Sequence, residues 1–290
     1  MKKKKSTILV IGGTGFIGYH LLLRLVKLGW IIFSISKKKP KKNRYIKKVK
    51  YFKLNLNNFL NLEKKINTRL DYVVNLSDIS HNKVKKLFNY FKKGKIKKFI
   101  QIGSSAEYGN NNKKLKENFK CKPISKYGKN KLKITKNALE IFKKNSFPII
   151  VIRLFQVYGS ADNENKIIPY VISNFKKDKT LNLTKGDQTR DFCHVNDVIN
   201  AIILVLRSKN KKIIGKIFNV GSGKSITIKN LVNKIQKIIK KGKPVFGKKK
   251  FKSSEIIRSK ASITKIKKII NWSPKVSLDK GIDNLIRYEK

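Results

Sequence analysis

Residues and segments typical of secreted and membrane proteins are scarce in this sequence. It contains two cysteines, Cys121 and Cys193, which lie far apart and without the spacing of a metal site. Two such thiols predict no disulfide framework and no bound metal, and they indicate a reducing compartment, here the cytoplasm. No apolar run approaches the ~20 residues that a transmembrane helix needs, so no membrane span is expected.

Acidic residues and arginine are also few. The chain has 16 Asp and Glu against 71 Lys and Arg, a formal net charge of +55, and 8 of those basic residues are arginine. Arginine is the side chain that proteins prefer for binding phosphates and the edges of bases. The lysines, in contrast, are spread along the whole chain. The composition therefore predicts no specific nucleic-acid partner, although a non-catalytic protein that binds RNA or another polyanion stays an alternative. A basic surface would also attract anionic substrates.

A glycine-rich turn near the N-terminus is the first informative motif. The apolar residues 8–11 lead into glycines at positions 12, 15 and 18, and an apolar helical pattern follows. Glycines let the backbone turn tightly and let a pyrophosphate approach, while the helix N-terminus offers unpaired N–H groups. The turn therefore predicts a dinucleotide site. The residues expected to line it are Gly12, Thr14, Gly15, Phe16, Ile17 and Gly18.

Apolar strands alternate with helices over the first 160 residues. Strands are expected at 8–11, 30–35, 49–54, 72–76, 99–102 and 149–154, and helices at 16–28, 59–67, 84–91 and 126–144. This alternation predicts an α/β fold with a doubly wound parallel sheet covered on both faces. Beyond Gly159 the pattern loosens. Helices are expected at 167–177, up to 206 and at 227–240, with a strand at 217–220 and a surface loop with one short strand at 241–262.

Tyr127 and Lys131 lie four residues apart at the start of a predicted helix, which places them on one face. A lysine ammonium beside a tyrosine favours the phenolate and lowers a phenol pKa that is otherwise ~10. Such a pair can move a proton while a hydride moves to or from nicotinamide. The spacing alone is common in a lysine-rich chain. However, Ser104 precedes the pair at the end of a predicted parallel strand, where ligands bind in such sheets.

In that order, these segments resemble the extended short-chain dehydrogenases/reductases, in particular the NAD-dependent epimerase/dehydratase group that acts on nucleotide sugars. The resemblance covers nearly the whole chain. The segments that are similar to family motifs are Gly12–Gly18, Ser104–Gly109, Pro123–Lys131, Arg153–Gly159, Arg190–Val198, Asn219–Gly223 and Trp272–Lys275.

The resemblance implies a Rossmann-type domain at 1–160, to which 190–222 returns. A smaller, discontinuous C-terminal domain for the nucleotide sugar would comprise 161–189 and 223–290. The family also implies a role in nucleotide-sugar metabolism, including cell-surface polysaccharide synthesis. Its members further imply a homodimer formed through the Tyr127 helix and the helix near 84–93.

The resemblance also assigns roles to individual residues. Tyr127 would be the acid/base at the sugar hydroxyl or ketone, Lys131 would bind the nicotinamide ribose and tune Tyr127, and Ser104 would hydrogen-bond the reacting oxygen. Arg190 would meet the nucleotide diphosphate, and a buried structural pair between Arg190 and Asp191 is the alternative. The remaining residues assigned to the substrate are Ser105 and Gln156. His194 is expected to pack or to cap a helix.

One departure from the family narrows the reaction. The 4,6-dehydratases place an Asp-Glu pair directly after the catalytic Ser or Thr, whereas Ser105 and Ala106 stand at those positions here. Glu107 lies one step further and is expected to point elsewhere. Two reactions remain: reduction of a nucleotide-activated 4-keto-6-deoxyhexose, which the segments at 164–170 and 186–192 resemble most, and 4-epimerisation of a nucleotide sugar of the UDP-glucose type.

The cofactor is expected to be NADP or, as the second choice, NAD. NAD enzymes usually have an acid after the second strand for the ribose 2′-hydroxyl, whereas Ser36 and Lys37 stand there in this chain. Asn55 occupies the position of an adenine-contacting Asp in the family. The other residues expected to line the cofactor are Leu56, Leu76 and Ser77.

Overall fold

The computed structural model describes residues 5–54, 66 and 68–288. Asn55 and Leu56 lie outside the described residues, and so does the predicted helix at 59–67 except for Ile66. The strands are β1 (Thr7–Ile11), β2 (Ile31–Ser36), β3 (Val49–Lys53), β4 (Tyr72–Asn75), β5 (Lys98–Ser104), β6 (Ile149–Leu154), β7 (Gln156–Tyr158), β8 (Thr180–Asn182), β9 (Thr189–Arg190), β10 (Phe192–His194), β11 (Ile217–Val220), β12 (Ile226–Thr227) and β13 (Lys243–Val245).

The helices follow the strands in the order that the sequence predicts up to residue 239. They are α1 (Phe16–Lys27), α2 (His81–Phe91), α3 (Lys126–Asn145), α4 (Ile167–Lys176), α5 (Val195–Arg207), α6 (Ile228–Ile239), α7 (Thr264–Ile270) and α8 (Leu278–Tyr288). None of the helices in the described ranges is both long enough and apolar enough to cross a membrane.

Within the described residues, seven strands form one parallel sheet in the order β11-β6-β5-β4-β1-β2-β3. The chain runs outward from β1 to β3 and then returns to place β4 on the other side of β1. This reversal creates a crevice at the carboxyl ends of β1 and β4, the position where ligands bind in doubly wound sheets. The glycine turn directly follows β1 and therefore lies at this crevice. The predicted α/β fold is confirmed.

Two compact units make up the chain. The first comprises Met1–Gly103, Asn130–Arg153 and Ile199–Phe218, and the second comprises Ser104–Lys129, Leu154–Val198 and Asn219–Lys290. The core of the first unit is a cluster of strand and helix residues such as Leu9 and Phe99, which are fully buried. In the second unit a separate cluster includes Phe175 and Leu231. Compactness does not show what a unit binds, so the substrate domain at 161–189 and 223–290 stays a prediction.

The C-terminal part of the second unit contains two helices that the sequence pattern did not predict. The helices α7 and α8 follow the lysine-rich segment at 241–262. The short strand predicted in that segment is β13, which pairs with β8 in a two-stranded sheet. The indole of Trp272 donates a hydrogen bond to the carbonyl oxygen of Asp197 at 3.0 Å, and the N–H of Val276 donates to the Asp197 carboxylate at 2.9 Å. These contacts hold the segment between α7 and α8 against the start of α5.

Candidate active site

The glycine turn is packed too closely for side chains. Gly12 has a φ of +85°, which favours glycine, and a Cβ on Gly18 would lie 2.6 Å from the Cα of Gly13 and closer still to the carbonyl oxygen of Gly12. The start of α1 therefore rests directly on the turn. A Cβ on Gly12 would lie 3.1 Å from the backbone nitrogen of Ser77, so the turn also contacts the segment after β4.

The N-terminus of α1 is suited to an anion. Gly15 is its N-cap residue and makes no side-chain capping bond, and the first turn of the helix contains no acidic residue. Helix N-termini with uncapped N–H groups bind phosphate oxygens, since the N–H groups and the helix dipole both favour negative charge. The turn and α1 therefore fit the diphosphate of a nicotinamide dinucleotide.

Other predicted cofactor residues lie around this turn within the first unit. The hydroxyl of Ser36, at the end of β2, accepts a hydrogen bond from the N–H of Thr14 at 3.3 Å. The amide of Asn75, in turn, fixes Ser77, whose N–H and hydroxyl donate to it at 3.1 and 2.6 Å. Lys37 is exposed directly after β2. The structure thus brings Thr14, Ser36 and Ser77 to the carboxyl edge of the sheet.

Lys131 also belongs to the first unit. Its side chain is 3% exposed, and its ammonium lies 3.8 Å from the carboxylate of Asp78, in the segment between β4 and α2. A buried ammonium is costly without a counter-charge, so Asp78 helps to offset the burial of Lys131.

In the second unit, Ser104 begins a short 3₁₀ turn, Ser105–Glu107. The hydroxyl of Ser104 accepts a hydrogen bond from the N–H of Ala106 at 3.2 Å, and the carboxylate of Glu107 accepts one from the N–H of Ser104 at 2.9 Å. Glu107 is fully buried, so its carboxylate serves the turn that positions Ser104.

The start of α3 packs against this turn. The hydroxyl of Ser125 accepts a hydrogen bond from the N–H of Gly128 at 3.0 Å and so caps the helix. A Cβ on Gly128 would lie 3.1 Å from the carbonyl carbon of Ala106 and would overlap its oxygen. Tyr127 precedes this contact and is 45% exposed. The close approach at Gly128 therefore places Tyr127 beside the Ser104 turn, and Lys131 follows one turn further along α3.

Arg190 has a partner that the sequence reasoning did not identify. Its guanidinium pairs with the carboxylate of Glu255 and donates to the carbonyl oxygen of Ile256 at 2.5 Å. Burial lowers the pKa of Arg190, and Glu255 opposes this shift. The alternative of a pair between Arg190 and Asp191 is wrong. The sequence does single out Glu255 as a candidate partner for a basic residue, because it is the sole acid between Asp197 and Asp279.

Asp191 instead fixes two loops next to Arg190. Its carboxylate accepts hydrogen bonds from the N–H groups of Ser222, Gly223 and Ala261 at 2.6 to 3.0 Å, and from the hydroxyl of Ser222 at 2.7 Å. The carbonyl oxygen of Asp191 accepts from the N–H of Gln156 at 3.0 Å, so Gln156 lies beside this segment.

His194 packs and caps, as the sequence predicts. Its ring contacts that of Tyr158 edge to face at 5.3 Å, and its Nδ1 accepts a hydrogen bond from the N–H of Asn196 at the start of α5.

Comparisons with known proteins agree with this geometry. The family model described as "NAD dependent epimerase/dehydratase family" matches residues 8–221. The CDP-abequose synthase of Salmonella typhimurium is 27% identical over 294 residues, which cover 98% of each chain. The dTDP-4-dehydro-6-deoxyglucose reductase of Escherichia coli is 25% identical over 318 residues, which cover 99% of this chain and 98% of the relative.

The fold is also similar to that of solved structures. The UDP-glucuronic acid 4-epimerase from Bacillus cereus, in complex with UDP-glucuronic acid and NAD, superposes with a TM-score of 0.88 at 26% identity. The match covers 97% of this chain and 98% of the epimerase.

Proposed function

Because the chain belongs to the NAD dependent epimerase/dehydratase family, we propose that it is the 4-ketoreductase of a nucleotide-activated 4-keto-6-deoxyhexose. The family establishes an enzyme that uses a nicotinamide dinucleotide and acts on nucleotide sugars. One of the relatives above is a dTDP-4-dehydro-6-deoxyglucose reductase, which supports reduction as the reaction of this chain.

The main argument against a dehydratase is the composition of the turn after Ser104. Ser105 and Ala106 provide no acid or base, and the carboxylate of Glu107, the next acid in the sequence, is buried and accepts a hydrogen bond from the N–H of Ser104. Elimination of water needs a general acid or base at the leaving hydroxyl. Reduction of a ketone needs only a hydride donor and one proton donor, and Tyr127 is available as the proton donor.

In this reaction, each of the following residues would have its own role. Tyr127 donates the proton to the carbonyl oxygen at C4, and Ser104 hydrogen-bonds the same oxygen. Lys131 binds the nicotinamide ribose and, through its charge, favours the phenolate of Tyr127 after the proton has left. A bound nicotinamide dinucleotide supplies the hydride. Arg190 binds the diphosphate of the nucleotide sugar, with Ser105 and Gln156 on the substrate side.

A substrate panel tests the reaction. Purified protein is incubated with nucleotide 4-keto-6-deoxysugars that carry dTDP, CDP, GDP or UDP, each with NADPH and with NADH. We expect oxidation of the dinucleotide in step with loss of one ketosugar. Turnover of a nucleotide hexose without net consumption of the dinucleotide would contradict the proposal.

The second candidate is a nucleotide-sugar 4-epimerase, and the similarity to the Bacillus cereus epimerase favours it. An epimerase oxidises and re-reduces the same carbon, so it retains its dinucleotide between turnovers. Protein that keeps one equivalent of dinucleotide through gel filtration would support the epimerase, whereas protein that loses it would support the reductase.

Three further assignments belong to the same proposal. NADP is preferred to NAD because β2 is followed by Ser36 and Lys37 and not by an acid; the Bacillus cereus epimerase above, for comparison, was solved with NAD. The protein is expected to be a homodimer formed through α2 and α3. Its two free cysteines agree with a cytoplasmic location.

A further inference from the structure

The amide side chain of Asn130 joins helix α3 to the segment that follows β4. Its Nδ2 donates a hydrogen bond to the carbonyl oxygen of Ile79 at 2.9 Å, and its Oδ1 accepts one from the N–H of His81 at 2.8 Å. Both halves of the amide are therefore used, and the two bonds fix its orientation. One side chain thus sets the register between α3 and residues 79–81.

This register determines what lies beside Lys131. Asn130 directly precedes Lys131 on the helix, and Asp78 directly precedes the residues that Asn130 holds. The Asp78 carboxylate consequently lies 3.8 Å from the buried ammonium of Lys131, although the Asp78 side chain is 66% exposed. The separation is longer than a hydrogen bond, so Asp78 holds the ammonium by charge.

The other end of the segment is fixed as well. The Asn75 Oδ1 atom accepts the two hydrogen bonds from Ser77, and the Asn75 Nδ2 donates to Gln101 Oε1 at 2.9 Å. Asp78 is therefore anchored through Ser77 on one side and through Asn130 on the other. A short segment fixed at both ends has little freedom to withdraw its carboxylate from Lys131.

We propose that Asn130 and Asp78 are positioning residues that hold the Lys131 ammonium in place for the nicotinamide ribose. The inference rests on the proposed role of Lys131 as the ribose-binding residue. It adds two residues that touch neither substrate nor dinucleotide and act through Lys131.

The test measures binding of NADPH and of NADH, each titrated separately and followed by nicotinamide fluorescence without sugar substrate. Asn130→Ala and Asp78→Asn are each expected to raise the Kd of the preferred dinucleotide by about fivefold to tenfold, since a poorly oriented side chain loses a good part of one charged hydrogen bond. Asn137→Ala and Glu140→Gln, the same changes of side chain or charge further along α3, are expected to leave the Kd within twofold. Tighter binding by Asp78→Asn would show that Asp78 competes with the ribose and would overturn the proposal.

A double-mutant cycle shows whether the effect passes through Lys131. In a Lys131→Met background, Asp78→Asn and Asn130→Ala are expected to change the Kd by less than twofold, because the side chain that they position is gone. Undiminished effects in that background would overturn the proposal. If Lys131→Met itself leaves the Kd unchanged, the role of Lys131 in the proposed function fails, which is a distinguishable result.

Comparing kcat with the KM of each substrate gives a result that a loss of fold stability would not produce. Asn130→Ala is expected to lower kcat and raise the KM of the dinucleotide while the KM of the sugar stays within twofold. Asp78 is mostly exposed, so Asp78→Asn provides a folded variant even if Asn130→Ala proves unstable.

Discussion

Single side chains fix the geometry around Ser104 and Tyr127. The carboxylate of Glu107 caps the N–H of Ser104, and the missing side chain of Gly128 lets α3 approach the same turn. Neither residue has an obvious chemical role in the reaction, but together they fix the turn of Ser104 and bring the start of α3 against it.

Removing the phenol oxygen tests the acid/base role. Tyr127→Phe is expected to lower kcat by at least about 100-fold, because general acid catalysis contributes factors of this size. The melting temperature should stay within about 1 °C of the wild type, since Tyr127 is 45% exposed. Tyr288→Phe, which alters the 79%-exposed tyrosine of α8, is the control. Turnover of Tyr127→Phe within tenfold of the wild type would show that the assignment is wrong.

A methyl group at position 128 tests the close approach of α3. Gly128→Ala is expected to destabilise the fold by about 1–3 kcal/mol and to lower kcat, because the Ala106 carbonyl must move away. Gly94→Ala is the matched control, since its Cβ would lie 3.6 Å from the nearest atom, in ordinary contact. Urea unfolding and steady-state rates measure both variants. Equal stability of the two would contradict the packing argument.

Charged side chains connect the ends of helices and strands that are distant in the sequence. The buried ammonium of Lys98, at the start of β5, donates hydrogen bonds to the carbonyl oxygens of Val205 and Leu206 at 2.9 Å and to that of Ser208. These carbonyls end α5 and have no helical partner, so the cation also meets the negative end of the helix dipole. Burial lowers the pKa of Lys98 to about 8, which leaves it charged at pH 7.

Lys98→Met is expected to destabilise the protein by about 2–4 kcal/mol at pH 7, because three carbonyl groups, two of them in buried contacts, lose a charged donor. Chemical denaturation measures the change, and Lys93→Met is the nearby control, since Lys93 is exposed in the segment between α2 and β5. A loss of less than about 0.5 kcal/mol in Lys98→Met would contradict its role as a helix cap.

Asp71 connects the start of β1 with the residue before β5. Its carboxylate accepts a hydrogen bond from the N–H of Thr7 at 3.0 Å and pairs with the Lys97 ammonium at 2.9 Å. Burial alone would raise the pKa of Asp71, but the Thr7 N–H and Lys97 outweigh it and lower the pKa.

The lowered pKa sets the direction of a pH effect. The unfolded chain binds a proton at Asp71 near pH ~3.9, before the folded protein does, so the stabilisation is complete above that pH and is lost as the pH falls below it. Asp71→Asn is therefore expected to cost about 1 kcal/mol at pH 7 and progressively less between pH 4 and pH 2. Urea unfolding of both proteins across this range measures the difference, and a constant difference would refute the linkage.

The formal net charge of +55 is the dominant property of the whole molecule. The surface lysines create a positive potential that attracts anionic nucleotides over long distances, and salt screens this attraction. The KM values of the nucleotide sugar and of the dinucleotide are expected to rise severalfold between 50 and 500 mM NaCl, while kcat changes little. The same titration in sodium glutamate separates screening from chloride binding. KM values independent of ionic strength would show that the charge has no part in substrate capture.

The local elements of this protein follow from its amino-acid sequence. The apolar run at 8–11, the spacing of Gly12, Gly15 and Gly18, and the helical periodicity up to residue 239 depend on near neighbours, and each predicted element among them that lies in the described ranges was found. The Tyr127 and Lys131 pair is equally local, because a helix fixes what lies four residues apart.

Contacts between residues that are distant in the sequence depend on the tertiary structure. Glu255 pairs with Arg190 across 65 positions, Asp191 holds loops at Ser222 and Ala261, and Lys98 caps a helix more than 100 residues away. No periodicity encodes such pairs, since they depend on how sheets and helices are stacked. Short strands such as β9 and β12, of two residues each, exist only because a partner lies opposite. The residues proposed for the nucleotide sugar, such as Arg190, are of this second kind, which is why the local sequence points to the dinucleotide turn more readily than to the substrate.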